Sequence, residues 1–450
     1  MQQSFSWSWV QTQVEGTIAL WRTCADRNPA SSRAYSRQDQ RQREQAYDRA
    51  LVEVERETQT KPSSTAARDE LLFRTTRSFS RFSAEALDLP PEGIELLADD
   101  LIPVGTNLAR WARCFDPGLS KAEIVQACRN AWTACGLQPL FGVPVELTPS
   151  ILGYSLLYPY TDNYLDQPAT AAKEKHQFSD RFRRRLRGET IYAGNQLEST
   201  LWELVALIES QYPRDGHPGV YDCLLAIHQA QEDSIKQLIP GQQLSRIASS
   251  DILRLSCSKG GSSVLADACL ARGSLNAQES QFAFRWGVLL QLGDDLQDVQ
   301  EDLRRGSATV FSRAAARGLP LDGLTNQLFS FSDCITAEMA ALPFGSRTLK
   351  DLLCSSWRSL MVNAIAESHR LFTQPYLMEA RRSSPFRFKF LQARRKRLSR
   401  RRGLYESFFN TFLEGPEDFP ESLPQPFRAL TETSCVSPQP ISGRPQIIVA

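Results

Sequence analysis

The sequence lacks the features that would mark several classes of protein. No apolar run approaches the ~20 residues needed to cross a bilayer, so we expect no membrane-spanning helix. The net charge is only +1, which gives no reason to expect a nucleic-acid partner. The ten cysteines show no CxxC spacing and the four histidines do not cluster near them. Neither a zinc site nor a disulfide scaffold is therefore predicted.

The start of the chain also lacks the pattern of a signal peptide. It has no basic beginning, and Glu15 interrupts its apolar stretch. The scattered cysteines are typical of reduced thiols in the cytosol. We therefore expect a cytoplasmic protein, with peripheral attachment to a membrane as the alternative.

Alternating strand patterns and repeats of about 20–50 residues are absent too. Instead, apolar residues recur at spacings of three and four along most of the chain. This periodicity predicts an all-α fold, with helices that include 149–165, 249–272 and 276–304. We expect the first 15 or so residues to be loose.

Breaker clusters and composition divide the chain into four predicted segments. They are a partly flexible N-terminal helical extension at 1–64, the main helical domain at 65–375, a basic C-terminal helix at 376–413, and a Pro- and Ser-rich disordered tail at 414–450.

The first acidic motif ends a predicted helix. It lies in YSLLYPYTDNYLDQP at 154–168, where Asp162 and Asp166 are four positions apart. That spacing places both carboxylates on one helix face, about 6 Å apart along the axis. Because the preceding residues are apolar and aromatic, the pair is expected near the end of a largely buried helix.

The second acidic motif has the same geometry in FRWGVLLQLGDDLQDVQEDLRRG at 284–306. Asp294, Asp298 and Asp302 recur every four positions along one predicted helix face. Like charges at this spacing repel one another, so a cation would stabilise them. Magnesium prefers such oxygen ligands and typically joins carboxylates to phosphates. The alternative, for each motif taken alone, is a solvated helix face.

Cationic residues that could bind phosphate lie between and after the two motifs. Lys259 belongs to SKGGSSVLADA, and Arg254 precedes it by five positions. Arg304 and Arg305 directly follow the second motif, and RFRRRLRGE at 181–189 follows the first. Such side chains are the usual donors to phosphate oxygens, although an arginine-rich helix is more often solvated surface.

At these residues the chain resembles the class I isoprenoid synthase superfamily. DNYLD at 162–166 is similar to a reduced form of the first aspartate-rich motif, DDxxD. GDDLQD resembles the second motif of trans-prenyl diphosphate synthases, and DVQEDLRRG resembles squalene and phytoene synthases. KGG at 259–261 is similar to their lysine-containing segment. The overall likeness is to uncharacterised bacterial "class 1 isoprenoid biosynthesis enzymes", over about residues 65–375.

The resemblance implies a helical bundle around a central active-site cavity that binds a prenyl diphosphate. It implies that Asp162, Asp166, Asp294, Asp298 and Asp302 bind magnesium (Mg2+), about three ions with substrate bound. It also implies that Arg254, Lys259, Arg304 and Arg305 bind the diphosphate.

The reaction that this resemblance implies is ionisation of the diphosphate to an allyl cation. Because the first motif is reduced, with Asn163 in place of an aspartate, a terpene synthase (a diphosphate lyase that forms cyclic products) is favoured. The alternatives are a prenyltransferase, joining chains head-to-tail or head-to-head, and a non-catalytic helical protein that binds prenyl lipid or membrane. In the enzyme, aromatic side chains would stabilise the cation, and the candidates are Tyr158, Tyr160, Tyr164, Phe282 and Trp286.

A basic stretch near the C-terminus suggests a further contact. RRSSPFRFKFLQARRKRLSRRRG carries eleven Arg or Lys, interleaved with phenylalanines. Residues 381–402 could dock on anionic lipid, and a solvated helix or a nucleic-acid contact are the alternatives. We expect no nucleic-acid partner, and a homodimer is left open.

Overall fold

A computed structural model describes residues 4–26, 34–58, 62–167, 170–234, 237 and 249–393, without the side chains of Thr65, Asp166 and Ser249. The described residues contain no strand, so the predicted all-α fold is confirmed. The α-helices are α1 (Trp7–Thr23), α2 (Arg37–Glu57), α3 (Thr65–Leu87), α4 (Pro91–Glu95), α5 (Ile102–Phe115), α6 (Lys121–Leu137), α7 (Pro149–Asp166), α8 (Ala172–Leu186), α9 (Gln196–Gln211), α10 (Pro218–Ser234), α11 (Ser249–Arg272), α12 (Ala277–Gln297), α13 (Val299–Arg305), α14 (Val310–Ala316), α15 (Asp322–Ala340), α16 (Arg347–Glu367) and α17 (Gln374–Ser383).

Local signals explain where the helices of the site begin and end. Thr148 caps α7 with its side chain, and Pro149 occupies the first turn, where no amide hydrogen is needed. The predicted helix over 276–304 is in fact two helices, because α12 ends at Gln297 and α13 begins at Val299. Asp298 forms the junction between them.

From Ser4 onward the N-terminal residues pack into the bundle, so the expectation that the first 15 or so are loose was wrong for the described ones. Helix α1 begins at Trp7, and Phe5, Val10 and Val14 are buried. Trp9 packs edge-on against Phe284 of α12, with ring centroids 6.1 Å apart. The apolar face of α1 therefore packs against α11 and α12.

Helix α11 lies at the centre and runs antiparallel to both α7 and α12. Asp162 near the end of α7 meets Lys259, whereas Tyr154, two turns earlier, faces Asp267 further along α11. Gly260 of α11 and Gly287 of α12 permit the close approach of these two helices. A Cβ on Gly260 would lie 2.4 Å from Cβ of Gln291. A side chain at position 260 would push the two helices apart.

The C-terminal end of the described chain folds back on α2. Phe386 and Phe390 are buried, and each contacts the ring of Tyr47. Arg387 forms an ion pair with the buried Glu44 and also donates its backbone N–H to that carboxylate. Buried residues between Phe5 and Leu391 belong to one hydrophobic core, and the predicted four-segment division of the chain stays a prediction. The predicted tail at 414–450 and residues 394–413 lie outside the described residues.

Candidate functional site

Lys259 connects the two acidic motifs. Its ammonium Nζ lies 3.1 Å from Oδ1 of Asp162, and only 17% and 16% of the two side chains are exposed. The same positive charge lowers the pKa of Asp294 and of Asp295, which burial raises. The carboxylates at the ends of α7 and α12 therefore face one lysine in the middle of α11.

Asp295 is the buried member of the second motif. Gln291 donates to its Oδ1 at 2.9 Å and Ser256 donates to its Oδ2 at 3.0 Å. Burial raises its pKa to about 7, although both hydrogen bonds favour the charged form. Asp295 lies outside the predicted stripe of Asp294, Asp298 and Asp302, and its side chain is held between α11 and α12.

Asp294 lies at the rim and faces α6. Its Oδ1 is 3.6 Å from Nη2 of Arg129. Removal from solvent raises the pKa of Asp294 to about 6, with a further increase from Asp298 and an opposing effect of Arg129. Since 48% of the side chain is still exposed, solvent screens part of these effects.

The remaining two carboxylates lie at the helix junction. Asp298 is exposed, and its backbone (φ −93°, ψ 7°) ends the regular turn of α12. Burial raises the pKa of Asp302 to about 7, and Asp295 and Asp298 raise it further. The four aspartates of the second motif therefore interact electrostatically, although they do not form the single straight stripe that the spacing predicted.

Arg129 is a site residue that the sequence argument missed. It is the one charged residue in the stretch QACRNAWTACGL of α6, and that lone charge is the sequence signal for it. Its side chain is 66% exposed and faces Asp294. Its neighbour Asn130 donates to the buried Asp267 at 3.0 Å, which extends the polar contacts between α6 and α11.

The other predicted phosphate-binding arginines divide into two groups. Arg254 pairs with Glu15 of α1, and Arg305 pairs with Glu301 within α13. The arginines of α8 that follow the first motif also have carboxylate partners, namely Arg181 with Glu198, Arg183 with Glu232 and Arg185 with Glu209. These arginines of the RFRRRLRGE segment therefore connect α8 to α9 and α10.

Arg304, in contrast, borders a cleft. The cleft has a volume of about 510 Å³ and lies between the α12–α13 junction, the end of α16 and the short helix at 388–393. Asp298 and Arg304 line one side, and His369 and Lys389 line the other. This is the larger of the two cavities described here, and it opens beside the second motif.

A second, smaller cavity lies along α7 beneath Asp162. Its volume is about 20 Å³, which suits one water molecule and not a prenyl chain. Tyr158 is the only one of the five predicted aromatic candidates that lines it. Its lining is Tyr154, Leu157, Tyr158, Thr161, Phe182, Leu186, Leu224, Ile227, His228 and Gln231.

The remaining aromatic candidates pack elsewhere. The hydroxyl of Tyr160 donates to Asp116 at 2.5 Å, and Tyr164 packs on Phe178. Phe282 and Trp286 stack on each other in the core. In this conformation they therefore serve helix packing.

The donor type at the site fits magnesium, but the donors are not assembled. All the acidic ligands offer hard oxygen atoms, and the raised pKa values mark carboxylates that a cation would stabilise. No group of three His, Cys, Asp or Glu side chains in the described part of the chain is close enough to hold a metal. The side chain of Asp166, the second predicted ligand on α7, lies outside the described residues.

The aromatic residues of the basic stretch are not free to enter a membrane. Phe386, Phe388 and Phe390 are each at most 8% exposed, because they pack inward. Residues 394–402 lie outside the described part. Within the described helices, none is both long enough and apolar enough to span a bilayer.

Neither a scan against protein-family models nor a search of curated proteins finds a match to this chain.

Proposed function

We propose that this chain is a magnesium-dependent class I isoprenoid synthase that ionises a prenyl diphosphate, and that it is a terpene synthase. The observation that supports this most is the position of Lys259, which faces Asp162 of one acidic helix and Asp294 and Asp295 of the other. Two carboxylate-bearing helix ends on either side of one partly buried lysine suit the binding of a cation and an anion together.

The residues of the site have distinct roles in this proposal. Magnesium, held by Asp162, Asp294 and Asp298, would supply the positive charge that stabilises the departing diphosphate. Lys259 exchanges its contact with Asp162 for one with a diphosphate oxygen, and Arg129 donates from the side of α6. Asp295, fixed by Gln291 and Ser256, orients the end of α12.

The hydrocarbon chain would extend along α7 below Asp162. Tyr154 and Tyr158 lie one helical turn apart on the same face of α7 as Asp162. Their rings would therefore lie beside the bound hydrocarbon chain, where they could stabilise positive charge. Since the present cavity holds about one water, substrate binding requires side chains of α8 and α10 to move. The surrounding helices exclude bulk water, which would otherwise capture the cation.

Head-to-tail or head-to-head condensation is the second candidate. The cleft of about 510 Å³ beside Asp298 favours it, since a second diphosphate could bind there against Arg304 and Lys389. The third possibility, a non-catalytic lipid-binding protein, predicts no released diphosphate.

Incubation with magnesium and the C10, C15, C20 and C25 prenyl diphosphates separates these candidates. Magnesium-dependent release of diphosphate with a cyclic product supports a terpene synthase, and a longer chain supports a prenyltransferase.

Variants of the acidic residues test the roles proposed for them. Asp162→Asn and Asp294→Asn should each lower turnover by about 100-fold or more. Asp351→Asn is the matched control, because Asp351 is exposed on α16 and pairs with the exposed Arg347 one turn away. No release by well-folded protein would rule out the enzyme.

A further inference from the structure

Two buried side chains that line the cavity beneath Asp162 each have one polar atom without a hydrogen-bond partner among the described residues. His228 is 1% exposed and Gln231 is 4% exposed, and both lie on α10. Nδ1 of His228 and Nε2 of Gln231 have no hydrogen-bond partner, and both side chains line the cavity. A buried polar atom left unpaired costs roughly 1–3 kcal/mol, so such atoms normally have a partner.

The two unpaired atoms are chemically complementary. Nε2 of His228 lies 3.1 Å from the carbonyl oxygen of Ser179 on α8. A carbonyl only accepts, so Nε2 carries the hydrogen and Nδ1 presents a lone pair. Burial lowers the pKa of His228, which keeps the ring neutral and this lone pair available. Gln231 offers the opposite, an amide N–H that needs an acceptor.

One water molecule would satisfy both atoms, by donating to Nδ1 of His228 and accepting from Nε2 of Gln231. The two residues lie three positions apart on one face of α10. The cavity volume of about 20 Å³ is close to what one water needs. Phe182 packs edge-on against the imidazole, with ring centroids 5.0 Å apart, and thereby fixes the orientation of His228.

The cavity lies where the hydrocarbon chain of a prenyl diphosphate bound at Asp162 would pass. Tyr158 lines it and lies one turn, about 6 Å, before Asp162 on α7. A prenyl chain whose diphosphate binds at Asp162 extends past this point. We propose that His228 and Gln231 hold a water molecule that captures the carbocation, so that the product is an alcohol; this rests on the function proposed above.

The step balances without an oxidant or reductant. The water oxygen forms a C–O bond to the cationic carbon, and one of its protons passes to Nδ1 of His228. The positive charge of the carbocation ends on the imidazolium. Glu232, one turn further along α10, favours that charged ring, whereas Arg183, with which it is paired, opposes it.

The test follows oxygen from solvent into product. Purified protein is incubated with magnesium and the C15 prenyl diphosphate in ¹⁸O-labelled water, with released diphosphate and extracted products measured together. We expect an alcohol that carries ¹⁸O, which also separates this route from cleavage of the P–O bond by a phosphatase. His228→Phe should lower the ratio of alcohol to hydrocarbon by about 100-fold while diphosphate release continues.

Gln231→Leu provides a second variant that should fold, because it replaces an unpartnered amide with an apolar group of similar size. It should also shift the product towards hydrocarbon. Gln229→Leu is the matched control on the same helix: Gln229 contacts Asp233 and does not line the cavity, so the alcohol should persist.

The outcomes separate the two proposals. A wild-type product without ¹⁸O, formed with magnesium-dependent diphosphate release, overturns the role of His228 and leaves the synthase function standing. An unchanged alcohol fraction in both His228→Phe and Gln231→Leu also overturns that role. A wild-type protein that releases no diphosphate overturns both, whereas a crystal structure with a water between Nδ1 and Nε2 supports the binding site itself.

Discussion

At Lys259, the positive charge of one side chain faces carboxylates from two helices. The sequence indicated its cationic character and its position between the motifs, but not its partner. Partners depend on which faces of α7, α11 and α12 meet, and that depends on helix packing rather than on spacing along one helix. For the same reason Arg129, on a fourth helix, could not be assigned to the site in advance.

Removal of the Lys259 charge should destabilise the folded protein. In Lys259→Met, Asp162 keeps its burial but loses its ion-pair partner, so we expect the free energy of unfolding to fall by roughly 3 kcal/mol. Urea unfolding measures this change. The double variant with Asp162→Asn should recover part of the loss, because the carboxylate that lost its ion-pair partner is then neutral.

The exposed pair Arg347–Asp351 provides the control for this prediction. Arg347→Met should change the free energy of unfolding by less than about 0.5 kcal/mol, since exposed pairs one helical turn apart contribute little. If Lys259→Met unfolds at the same urea concentration as the wild type, Lys259 does not stabilise the acidic residues in the folded state.

Asp267 should make stability depend on pH. Burial raises the pKa of this carboxyl well above its usual range, with Asn130 as a hydrogen-bond donor. Its stabilising contribution is therefore complete below the unfolded pKa, near 3.9, and is lost as pH rises through the folded value. Asp267→Asn still accepts from Asn130 and cannot ionise. It should be more stable than the wild type at pH 8, with a difference that disappears near pH 4.

Thermal unfolding between pH 4 and pH 8 measures that difference. Asp351→Asn should show no such trend, because its side chain is 73% exposed. A constant offset between wild type and Asp267→Asn across this range would show that the carboxyl does not bind its proton more tightly in the folded state.

The helices themselves were largely predictable, since their periodicity and end signals are local. The expected bounds 149–165 and 249–272 lie within one residue of α7 and α11. The break at Asp298 was not predicted, because a helix with aspartates every four positions continues equally well by pattern alone. At this break Asp295 is buried between α11 and α12, and α13 packs against α14. Both are tertiary contacts, which a pattern along one helix does not contain.

The approach of α11 to α12 should depend on Gly260. A Cβ there would lie 2.6 Å from the carbonyl oxygen of Gly287 as well as 2.4 Å from Cβ of Gln291. Gly260→Ala should therefore lower the free energy of unfolding by about 1–3 kcal/mol, despite the better helix propensity of alanine. It should also lower the turnover of the proposed reaction, since Lys259 is the adjacent residue.

Gly16 of α1 is the matched control, because nothing lies within 4 Å of a Cβ added there. Gly16→Ala should stabilise the protein by up to about 1 kcal/mol in the same urea experiment. If both glycine variants gained stability, the close contact between α11 and α12 would not restrict position 260.

For the molecule as a whole, the unexpected feature is that both ends of the described chain belong to the core. The sequence predicted a partly flexible helical extension at one end and a basic helix at the other. Burial follows the apolar residues between the charges. Phe386, Phe388 and Phe390 are buried and alternate with the exposed Arg387 and Lys389.

If these ends are part of one core, truncation of the Phe390 side chain should lower the stability of the whole molecule. Phe390 is 8% exposed and its ring centroid lies 5.4 Å from that of Tyr47 and 5.7 Å from that of Phe386. Phe390→Ala should reduce the free energy of unfolding by about 3–5 kcal/mol, whereas exposed Lys389→Ala should change it by less than about 0.5 kcal/mol. Tryptophan fluorescence and far-UV circular dichroism should then report one coincident transition at a lower temperature. An early transition seen by one probe alone would mean that the C-terminal segment unfolds separately, and the site around Lys259 would not depend on it.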